Sequence, residues 1–571
     1  MTTEKMNERR SASSARSLAN HALPLKNGRG FAAFLLLVFL VIGGAGIRLT
    51  SLDSVVRRSP DERTYTWEAN TVLSSGMDGI RTLAAQFYAT PSNFDYPPPS
   101  RVGFIWLLAR VMDATGNTTP QAGAWLSCAA SILSLLLVAG IGWKFFGPRI
   151  AIVALLFYSV SPVALSIARR AWEEAVIELL ALVIILLASL IVAADRGGDA
   201  AGMRHKFLSR ENSRGFLVFV TLLYLCAGAF CVTVKETAVL AFAACSFWVL
   251  GAALRRREWA KSAIFSLCCM AAAGSAWLWV AHYFGGPRGL IDLTVSSNRA
   301  HVLNSYAIHY ESGSGIELLY ALWFLSPAVV TLAAVTAAGS WRKGATDSAC
   351  RENSFVILLF LPIVFMLLAQ VAGSYRMSLR LTSLSTGPLC LLAAYGLCHG
   401  FTAFARHLDT LERRVVAGLA IAGVLLAAAA DYETFQRIFV QQDLQDLSLK
   451  MVLDATGQGG WEPMAAPDSF PASAGILSDA QQHTAAEWLS FSAQLLHAGK
   501  YEESIAASRH LLQLQPDSAE AYNNIAAAYE EMHDWDSAIA AARQSIRLRP
   551  DFQLAKNNLA WSLEQKSKSA R

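Results

Sequence analysis

The stretch FAAFLLLVFLVIGGAGIR, residues 31–48, is apolar throughout apart from its final arginine. About 20 such residues cross the hydrocarbon core of a bilayer as one helix, so this stretch predicts a membrane span. Comparable apolar stretches follow near residues 123–146, 150–168, 174–194, 215–232, 237–254, 262–284, 316–338, 354–372, 380–401 and 415–430. The sequence therefore predicts an all-α, polytopic transmembrane bundle of about 11 spans over residues 31–430.

The composition of the 571-residue chain agrees with a membrane protein. Apolar residues make up 54% and charged residues 16%, whereas an ordinary soluble domain carries roughly 25% charged residues. This composition excludes a soluble enzyme, a disordered chain and a fibrous repeat. The net charge of +5 is too small to indicate nucleic-acid binding, and the 9 cysteines show neither zinc-site spacing nor a disulfide framework.

The basic residues predict the orientation of the chain. A basic cluster precedes the first span, which predicts a cytoplasmic segment 1–30 followed by an uncleaved first helix. The apolar segment 103–112 is too short to cross and is predicted to lie in or dip into the interface. The inner loops are then 147–149, 195–214, 255–261, 339–353 and 402–414. These loops are rich in Lys and Arg, so the C-terminus is predicted on the outer face of the inner or plasma membrane.

The sequence changes character after residue 430. Residues 431–484 include a Gly/Pro/Ser-rich stretch that is typical of a linker. A period of 34 then appears, since Gln-Pro-Asp at 515–517 recurs as Arg-Pro-Asp at 549–551. Residues 485–571 resemble tetratricopeptide repeats, two full ones and the first helix of a third. Such an α-solenoid either binds a protein or steers a substrate on its concave face, or serves as a spacer without a partner.

Charged residues collect at the predicted outer ends of the spans, where they are costly and therefore indicate function. Asp61 and Glu62 are candidates for a general base or a charge stabiliser; the alternative is the acidic first turn of a helix. Arg170, Glu173 and Glu174 lie in a loop too short to leave the membrane. Because Arg170 and Glu174 are four residues apart, they are predicted to pair if the segment is helical.

Cations at other outer turns suit phosphate binding. Lys235, followed by Glu236, offers a point charge, with a snorkelling lysine as the alternative, and Arg376 and Arg380 offer bidentate contacts. The loop 285–315 adds Arg299, His301, Tyr306, His309 and Tyr310. Acids and phosphate-binding cations on one membrane face suit a lipid-linked phosphosugar, with its prenyl tail in the bilayer and its sugar outside.

A set of motifs carries a resemblance to a known family. The motifs are Asp61-Glu62-Arg63-Thr64-Tyr65, Asp95-Tyr96-Pro97-Pro98, Ser161-Pro162 followed by Arg169 to Glu174, Lys235, and Leu379-Arg380. Together they resemble the membrane-embedded GT-C glycosyltransferases, with family 39 as the nearest group: protein O-mannosyltransferases and lipid A aminoarabinose transferases. The resemblance covers about residues 30–430 and implies a GT-C-like bundle.

The resemblance implies an inverting transfer of a hexose or pentose from a polyprenyl-phosphate donor to a glycan, lipid or protein acceptor on the outer face. By position, Asp61 matches the essential acid and accepts the proton of the acceptor hydroxyl, with Glu62 beside it. Glu174, or Glu173, matches a second acid. The predicted donor-phosphate ligands are Lys235, Arg376, Arg380 and Arg170, and the predicted substrate-binding residues are Tyr65, Glu173, Glu236, Tyr306 and Tyr310. No cofactor and no metal site is indicated, although relatives of this fold leave a divalent ion open.

Two other functions remain open on the sequence alone. A ligase or polymerase of lipid-linked glycans, of the O-antigen type, would depend on the loop 285–315. A non-catalytic scaffold or transporter would present the repeats. A transporter buries charges in the middle of its spans, whereas the middles of most spans here are free of charge.

Overall fold

The computed structural model is helical in every regular element that it describes. The described residues are 28–55, 58–89, 98–195, 210–293, 315–342, 358–359, 361–364, 379–442, 444, 452, 455–456, 485–497 and 501–569. They contain no β-strand. The helices fall into two compact units, one before and one after residue 461. The all-α fold class is thus confirmed.

The first unit holds most of the helices. They are α1 (Gly28–Ser51), α2 (Pro60–Ser75), α3 (Asp78–Ala89), α4 (Val102–Thr115), α5 (Pro120–Ile141), α6 (Pro148–Val160), α7 (Pro162–Ala168), α8 (Glu174–Asp195), α9 (Arg210–Val234), α10 (Val239–Arg255), α11 (Trp259–His282), α12 (Gly315–Leu325), α13 (Pro327–Arg342), α14 (Ser383–Phe404) and α15 (Thr410–Phe435).

Seven helical segments in the described part of the chain are long and apolar enough to cross a membrane. These segments correspond to α1, α5, α8, α9, α11, α14 and α15. The pair of α6 and α7, which meet at a bend of 56°, raises the count to 8 if the two helices form one span. The chain is therefore a multi-pass, all-α membrane protein. The count of about 11 is not confirmed, because α10 and α13 are shorter and most of 354–372 lies outside the described residues.

Helix starts in this unit follow capping rules. Ser59 precedes α2 and Asp409 precedes α15, and each cap side chain accepts the N–H of a glutamate three residues later. That glutamate, Glu62 or Glu412, accepts the N–H of the cap in return. Polar residues at the helix ends are therefore tied into the backbone, which matters for Glu62 below.

The segment 103–112, predicted as an interfacial helix, lies in α4. Helix α4 has 14 residues, and Phe104, Ile105 and Leu108 within it all have 0% exposure. Gly103 permits the close packing, since a Cβ there would lie 2.1 Å from Oγ1 of Thr233 at the end of α9. Helix α4 thus belongs to the protein core that surrounds the charged residues described below.

The second unit consists of paired helices. They are α16 (Ala485–His497), α17 (Tyr501–Leu514), α18 (Ala519–Glu531), α19 (Trp535–Leu548) and α20 (Gln553–Ser569). Trp488, Phe491 and Leu495 of α16 pack on Ala507 and Leu511 of α17. Successive helical hairpins of this kind are what the 34-residue period predicts, and the assignment to tetratricopeptide repeats stays a prediction.

Candidate functional site

The predicted acids and cations of the first unit meet where helices begin and end. Asp61 lies in the first turn of α2, Glu174 begins α8, and a short 3-10 turn, Leu379–Thr382, carries Arg380. Nη1 of Arg380 lies 2.5 Å from Oδ2 of Asp61, and its Nε lies 3.1 Å from Oε1 of Glu174. The rigid fork of donors on a guanidinium fixes both carboxylates relative to each other.

Lys235 lies between the adjacent acids at the start of α8. Its Nζ is 2.7 Å from Oε1 of Glu173 and 2.7 Å from Oε1 of Glu174. A second cation, Arg101 at the start of α4, approaches Oε1 of Glu173 to 2.8 Å. We call this set the ion-pair cluster: Asp61, Arg101, Glu173, Glu174, Lys235 and Arg380. Its three carboxylates and three cations balance in charge.

Exposure within the ion-pair cluster rises toward Asp61. The side chains of Glu173 and Glu174 are 0% and 1% exposed, and Lys235 is 8% exposed. Arg380 is 10% exposed and Asp61 18%. Asp61 is therefore the most accessible carboxylate of this cluster.

Glu62, next to Asp61, lies in a different environment. Its carboxylate contacts Nη1 of Arg58 at 2.8 Å and Nη1 of Arg170 at 3.0 Å. It also accepts the backbone N–H of Ser59 and of Ala171, each at 2.8 Å, and its side chain is 0% exposed. These bonds fasten the start of α2 to the turn between α7 and α8.

Trp172 lies between these two groups of charges. Its ring centroid is 4.4 Å from Cζ of Arg380 and 5.3 Å from Cζ of Arg170. Its indole N–H donates to Oγ of Ser59 at 3.1 Å, and the residue is 1% exposed. A desolvated aromatic face attracts both guanidinium groups, so Trp172 helps to fix the orientation of Arg380.

Tyr65, predicted to bind substrate, is buried in the core beside the cluster. Its ring packs edge-on against Phe104 at 5.0 Å, and Cζ of Arg101 lies 5.6 Å from the ring centroid. The hydroxyl is buried and has no hydrogen-bond partner among the described residues. Its contacts in the structure are thus with the protein core and the Arg101 guanidinium.

Two buried carboxylates of the site have lowered pKa values. Burial acts most strongly on Glu62 and by itself raises the pKa, but Arg170, Arg58 and the N–H of Ala171 outweigh it. The pKa of Glu173 is also held below its ordinary value, since its cations overcome the effect of burial. Both groups are therefore ionised at neutral pH.

Several predicted site residues belong to other parts of the chain. Arg376, Tyr306 and Tyr310 lie outside the described residues. Glu236 begins the short 3-10 turn Glu236–Ala238, but its side chain also lies outside the described part. Their roles stay predictions.

Metal binding was left open by the sequence. Among the described residues, no group of three or more His, Cys, Asp or Glu side chains is arranged to hold a metal ion. The carboxylates of the ion-pair cluster contact cationic side chains instead. The question of a divalent ion therefore stays open.

Three contributors to the site were missed by the sequence analysis. Arg58 and Arg101 are cations on the predicted outer side, where the positive-inside rule expects few, and this signal was available. Trp172 stands between Arg170 and Glu173 in a segment already recognised as unusual. A buried aromatic beside guanidinium groups has no distinct sequence pattern, however, so its role required the structure.

The described residues define a multi-pass membrane protein in which helix ends gather ionised side chains. No protein-family model matches the chain, and no curated protein matches it. Among solved structures, it is similar to the archaeal oligosaccharyltransferase AglB from Archaeoglobus fulgidus, in complex with an inhibitory peptide and a dolichol-phosphate. The identity is 12% and the TM-score 0.40, over 86% of this chain and 60% of that one. A similarity this low carries no argument about activity.

Proposed function

We propose that the chain is a membrane glycosyltransferase of the GT-C class that transfers a sugar from a polyprenyl-phosphate donor to an acceptor on the outer membrane face. The observation that carries the proposal is the pairing of Asp61, the most exposed acid of the ion-pair cluster, with Arg380 at 2.5 Å. A candidate base and a candidate phosphate ligand thus lie side by side at the accessible edge of a buried, charge-balanced site.

The proposed reaction is a single displacement at the anomeric carbon. The acceptor hydroxyl oxygen forms a bond to that carbon while the bond from the carbon to the phosphate oxygen breaks. The hydroxyl proton passes to Asp61, and the electron pair leaves with the polyprenyl phosphate. Arg380 and Lys235 offset the charge that develops on the leaving group, because their donors are already fixed by neighbouring carboxylates.

Donor binding and activation of Asp61 are linked in this proposal. An anionic phosphate that enters competes with the carboxylates for the cations of the cluster. Asp61 is the most exposed of the three, whereas Glu173 and Glu174 are buried behind Lys235. We expect the phosphate to displace Asp61 from Arg380, which leaves the Asp61 carboxylate free for the acceptor hydroxyl.

The finer assignments belong to the same proposal. Glu62 was predicted as a catalytic acid beside Asp61; its complete burial and its four charged or backbone partners support a positioning role instead. Arg170 pairs with Glu62, which supports positioning rather than direct phosphate binding. Membership of family 39, the 11-span topology with an outer C-terminus, the domain limits at 430 and 484, and the tetratricopeptide repeats remain proposals from the sequence.

The test is transfer by the full chain in phospholipid nanodiscs. Radiolabelled polyprenyl-phosphate hexoses and pentoses are supplied with membrane extract as the source of acceptors, and labelled products are measured. We expect Asp61→Asn to lower transfer by about 10²- to 10⁴-fold, the usual contribution of a general base. The same variant should bind polyprenyl phosphate at least as tightly as the unaltered chain, because Arg380 no longer has Asp61 as a competing anion.

A matched control is Asp113→Asn. Asp113 pairs with Arg110 at 3.2 Å on the exposed side of α4, with 60% of its side chain accessible, so its loss should leave transfer unchanged. Retained transfer in Asp61→Asn would refute the base role. Absence of transfer from every polyprenyl-phosphate sugar by the unaltered chain would refute the donor class.

A further inference from the structure

The helical path toward the site is broken at Ser161-Pro162. Helices α6 and α7 meet there at an angle of 56°. Proline has no N–H, so the carbonyl of Tyr158 loses the donor that a continuous helix would supply from residue 162. The N–H of Ser161 reaches this carbonyl only at 3.4 Å. In the hydrocarbon region of a membrane there is no bulk water, so a freed backbone carbonyl needs a partner inside the protein, such as a side chain of a neighbouring helix or an ordered water.

Arg48 supplies donors at this break from another helix. Its Nη2 donates to the carbonyl of Tyr158 at 3.2 Å, and its Nη1 donates to the carbonyl of Ser159 at 3.1 Å. Nη1 also donates to the carbonyl of Gly44, and Nε donates to Oγ of Ser131 at 2.7 Å. The residue is 0% exposed, and its guanidinium joins α1, α5 and α6.

Gly44 allows Arg48 to reach the break. A Cβ at position 44 would lie 2.8 Å from Oγ of Ser159 and 3.2 Å from Leu135, closer than packed side chains tolerate. The absence of a side chain therefore lets α1 approach α6. The guanidinium of Arg48, one helical turn farther along α1, then reaches the carbonyls of Tyr158 and Ser159.

The segment that follows the break carries site residues. Helix α7 has 7 residues, all buried, and leads into Arg170, Trp172, Glu173 and Glu174. At the far end of α7, Nη1 of Arg169 donates to Oγ of Ser54 at 2.6 Å, just after α1. Arg48 at the end of α1 and Ser54 just after it thus contact the chain on the two sides of α7: the end of α6 before it and Arg169 after it.

We propose that Arg48 is a positioning residue that substitutes for the hydrogen bonds lost at Pro162 and thereby fixes the direction in which α7 presents the 169–174 turn. The claim about turnover rests on the proposed function, whereas the claim about the turn does not. The hydrogen bonds of Arg48 include none to the ion-pair cluster, so its effect on the turn passes through the backbone at the end of α6.

The experiment is a double-mutant cycle in the full chain in nanodiscs, with Arg48→Met, Pro162→Ala and their combination. Hydrogen exchange of peptides covering 162–174 is the first readout. We expect Arg48→Met to speed exchange there by about tenfold or more, as the loss of its two hydrogen bonds to the carbonyls of Tyr158 and Ser159 implies. The increase should be smaller in the Pro162→Ala background, because that substitution supplies an N–H that reaches the carbonyl of Tyr158 when α6 and α7 straighten into one helix.

Two further variants separate donor geometry from charge and from general damage. Arg48→Lys keeps the charge but has one nitrogen, which cannot span acceptors on three helices, so it should not rescue exchange. Arg110→Met removes an arginine from the exposed side of α4 and should leave the 162–174 peptides unchanged. If Arg48→Met does not fold, Gly44→Ala serves in its place, since its added Cβ forces α1 away from Ser159 and should speed exchange in the same peptides.

The second readout is transfer from polyprenyl-phosphate sugars. We expect Arg48→Met to lower kcat by roughly tenfold to a hundredfold with little change in the affinity for polyprenyl phosphate, because a small displacement of the turn misaligns the reacting groups. Additive effects in the cycle, or full rescue by Arg48→Lys, would overturn the proposal. If the unaltered chain transfers no sugar, the proposed function fails, and the exchange data alone decide the role of Arg48.

Discussion

Substitution of Trp172 separates the hydrogen bond of this residue from its aromatic contacts. The indole N–H donates to Oγ of Ser59 at 3.1 Å, and the ring lies 4.4 Å from Cζ of Arg380 and 5.3 Å from Cζ of Arg170. Trp172→Phe keeps an aromatic face and loses the N–H. Trp172→Leu loses both, together with more of the buried volume.

The magnitudes follow from these contacts. A neutral hydrogen bond contributes about 0.5–1.5 kcal/mol, so Trp172→Phe should lower the free energy of unfolding by about 1–2 kcal/mol once some lost packing is included. A desolvated cation–π contact contributes about 2 kcal/mol. Trp172→Leu should therefore cost about 3–5 kcal/mol, in the range of large truncations of buried aromatics.

The assay is denaturant unfolding of the full chain in detergent micelles, with sugar transfer measured in parallel. Trp106→Leu is the control, because Trp106 lies on α4 with 41% exposure and should cost less than about 1 kcal/mol. Sugar transfer should fall less in Trp172→Phe than in Trp172→Leu, since Arg380 loses its contact with an aromatic ring only in the second variant. Equal losses in the two Trp172 variants, or a Leu variant no worse than the control, would refute the reasoning.

Three further predictions concern carboxylates that are buried or half-buried. Glu62→Gln keeps the shape but removes the carboxylate charge that contacts buried Arg170 and partly exposed Arg58. Unfolding in micelles should become easier by about 3–5 kcal/mol, and a change under about 1 kcal/mol would contradict the role. The pKa values of Glu62 and Glu173 are lowered, so their ionised carboxylates stabilise the folded protein above the ordinary carboxyl pKa, and this stabilisation is lost as the pH falls below it. The melting temperature should therefore drop toward pH 3, and it should drop less steeply in Glu173→Gln. Burial raises the pKa of Glu530, whose carboxylate accepts a hydrogen bond from Ser562 at 2.5 Å, so ionisation of Glu530 lowers the stability of the fold as the pH rises. Glu530→Gln should therefore raise the melting temperature of a fragment 485–571 at pH 7, measured by circular dichroism. An unchanged or lower melting temperature would refute this.

The helices of the bundle were largely predictable, and the interruptions less so. Unbroken apolar runs such as 123–146 and 174–194 form α5 and α8, because an apolar run of this length folds as a helix long enough to cross a membrane. The run 150–168 instead divides at Ser161-Pro162, and 316–338 divides between α12 and α13 at Pro327. A proline is visible in the sequence, but whether it bends a helix depends on what satisfies the freed carbonyls, which here is a distant arginine.

The membership of the site was partly predictable, and its pairing was not. Arg170 and Glu174 were predicted to pair on one helix, but α8 begins at Glu174, so no helical turn joins them. Arg170 pairs with Glu62 instead, and Glu174 pairs with Lys235 and Arg380. The sequence indicates which charges lie near helix ends, whereas the partner of each charge depends on tertiary contacts between residues far apart in the chain.

Burial separates the residues that hold the site from the residue proposed to react. Asp61 is 18% exposed, and Arg380 keeps Glu174 when Asp61 is neutralised, so Asp61→Asn should cost little stability, about 1 kcal/mol or less. Arg48 and Glu62 are fully buried, and their loss leaves buried polar groups unpaired. In a plot of transfer against unfolding free energy, Asp61→Asn should therefore lose turnover at near-normal stability, while Arg48→Met and Glu62→Gln lose both. A strongly destabilised Asp61→Asn would instead assign Asp61 to the structural ion pairs, and the base would have to be sought elsewhere.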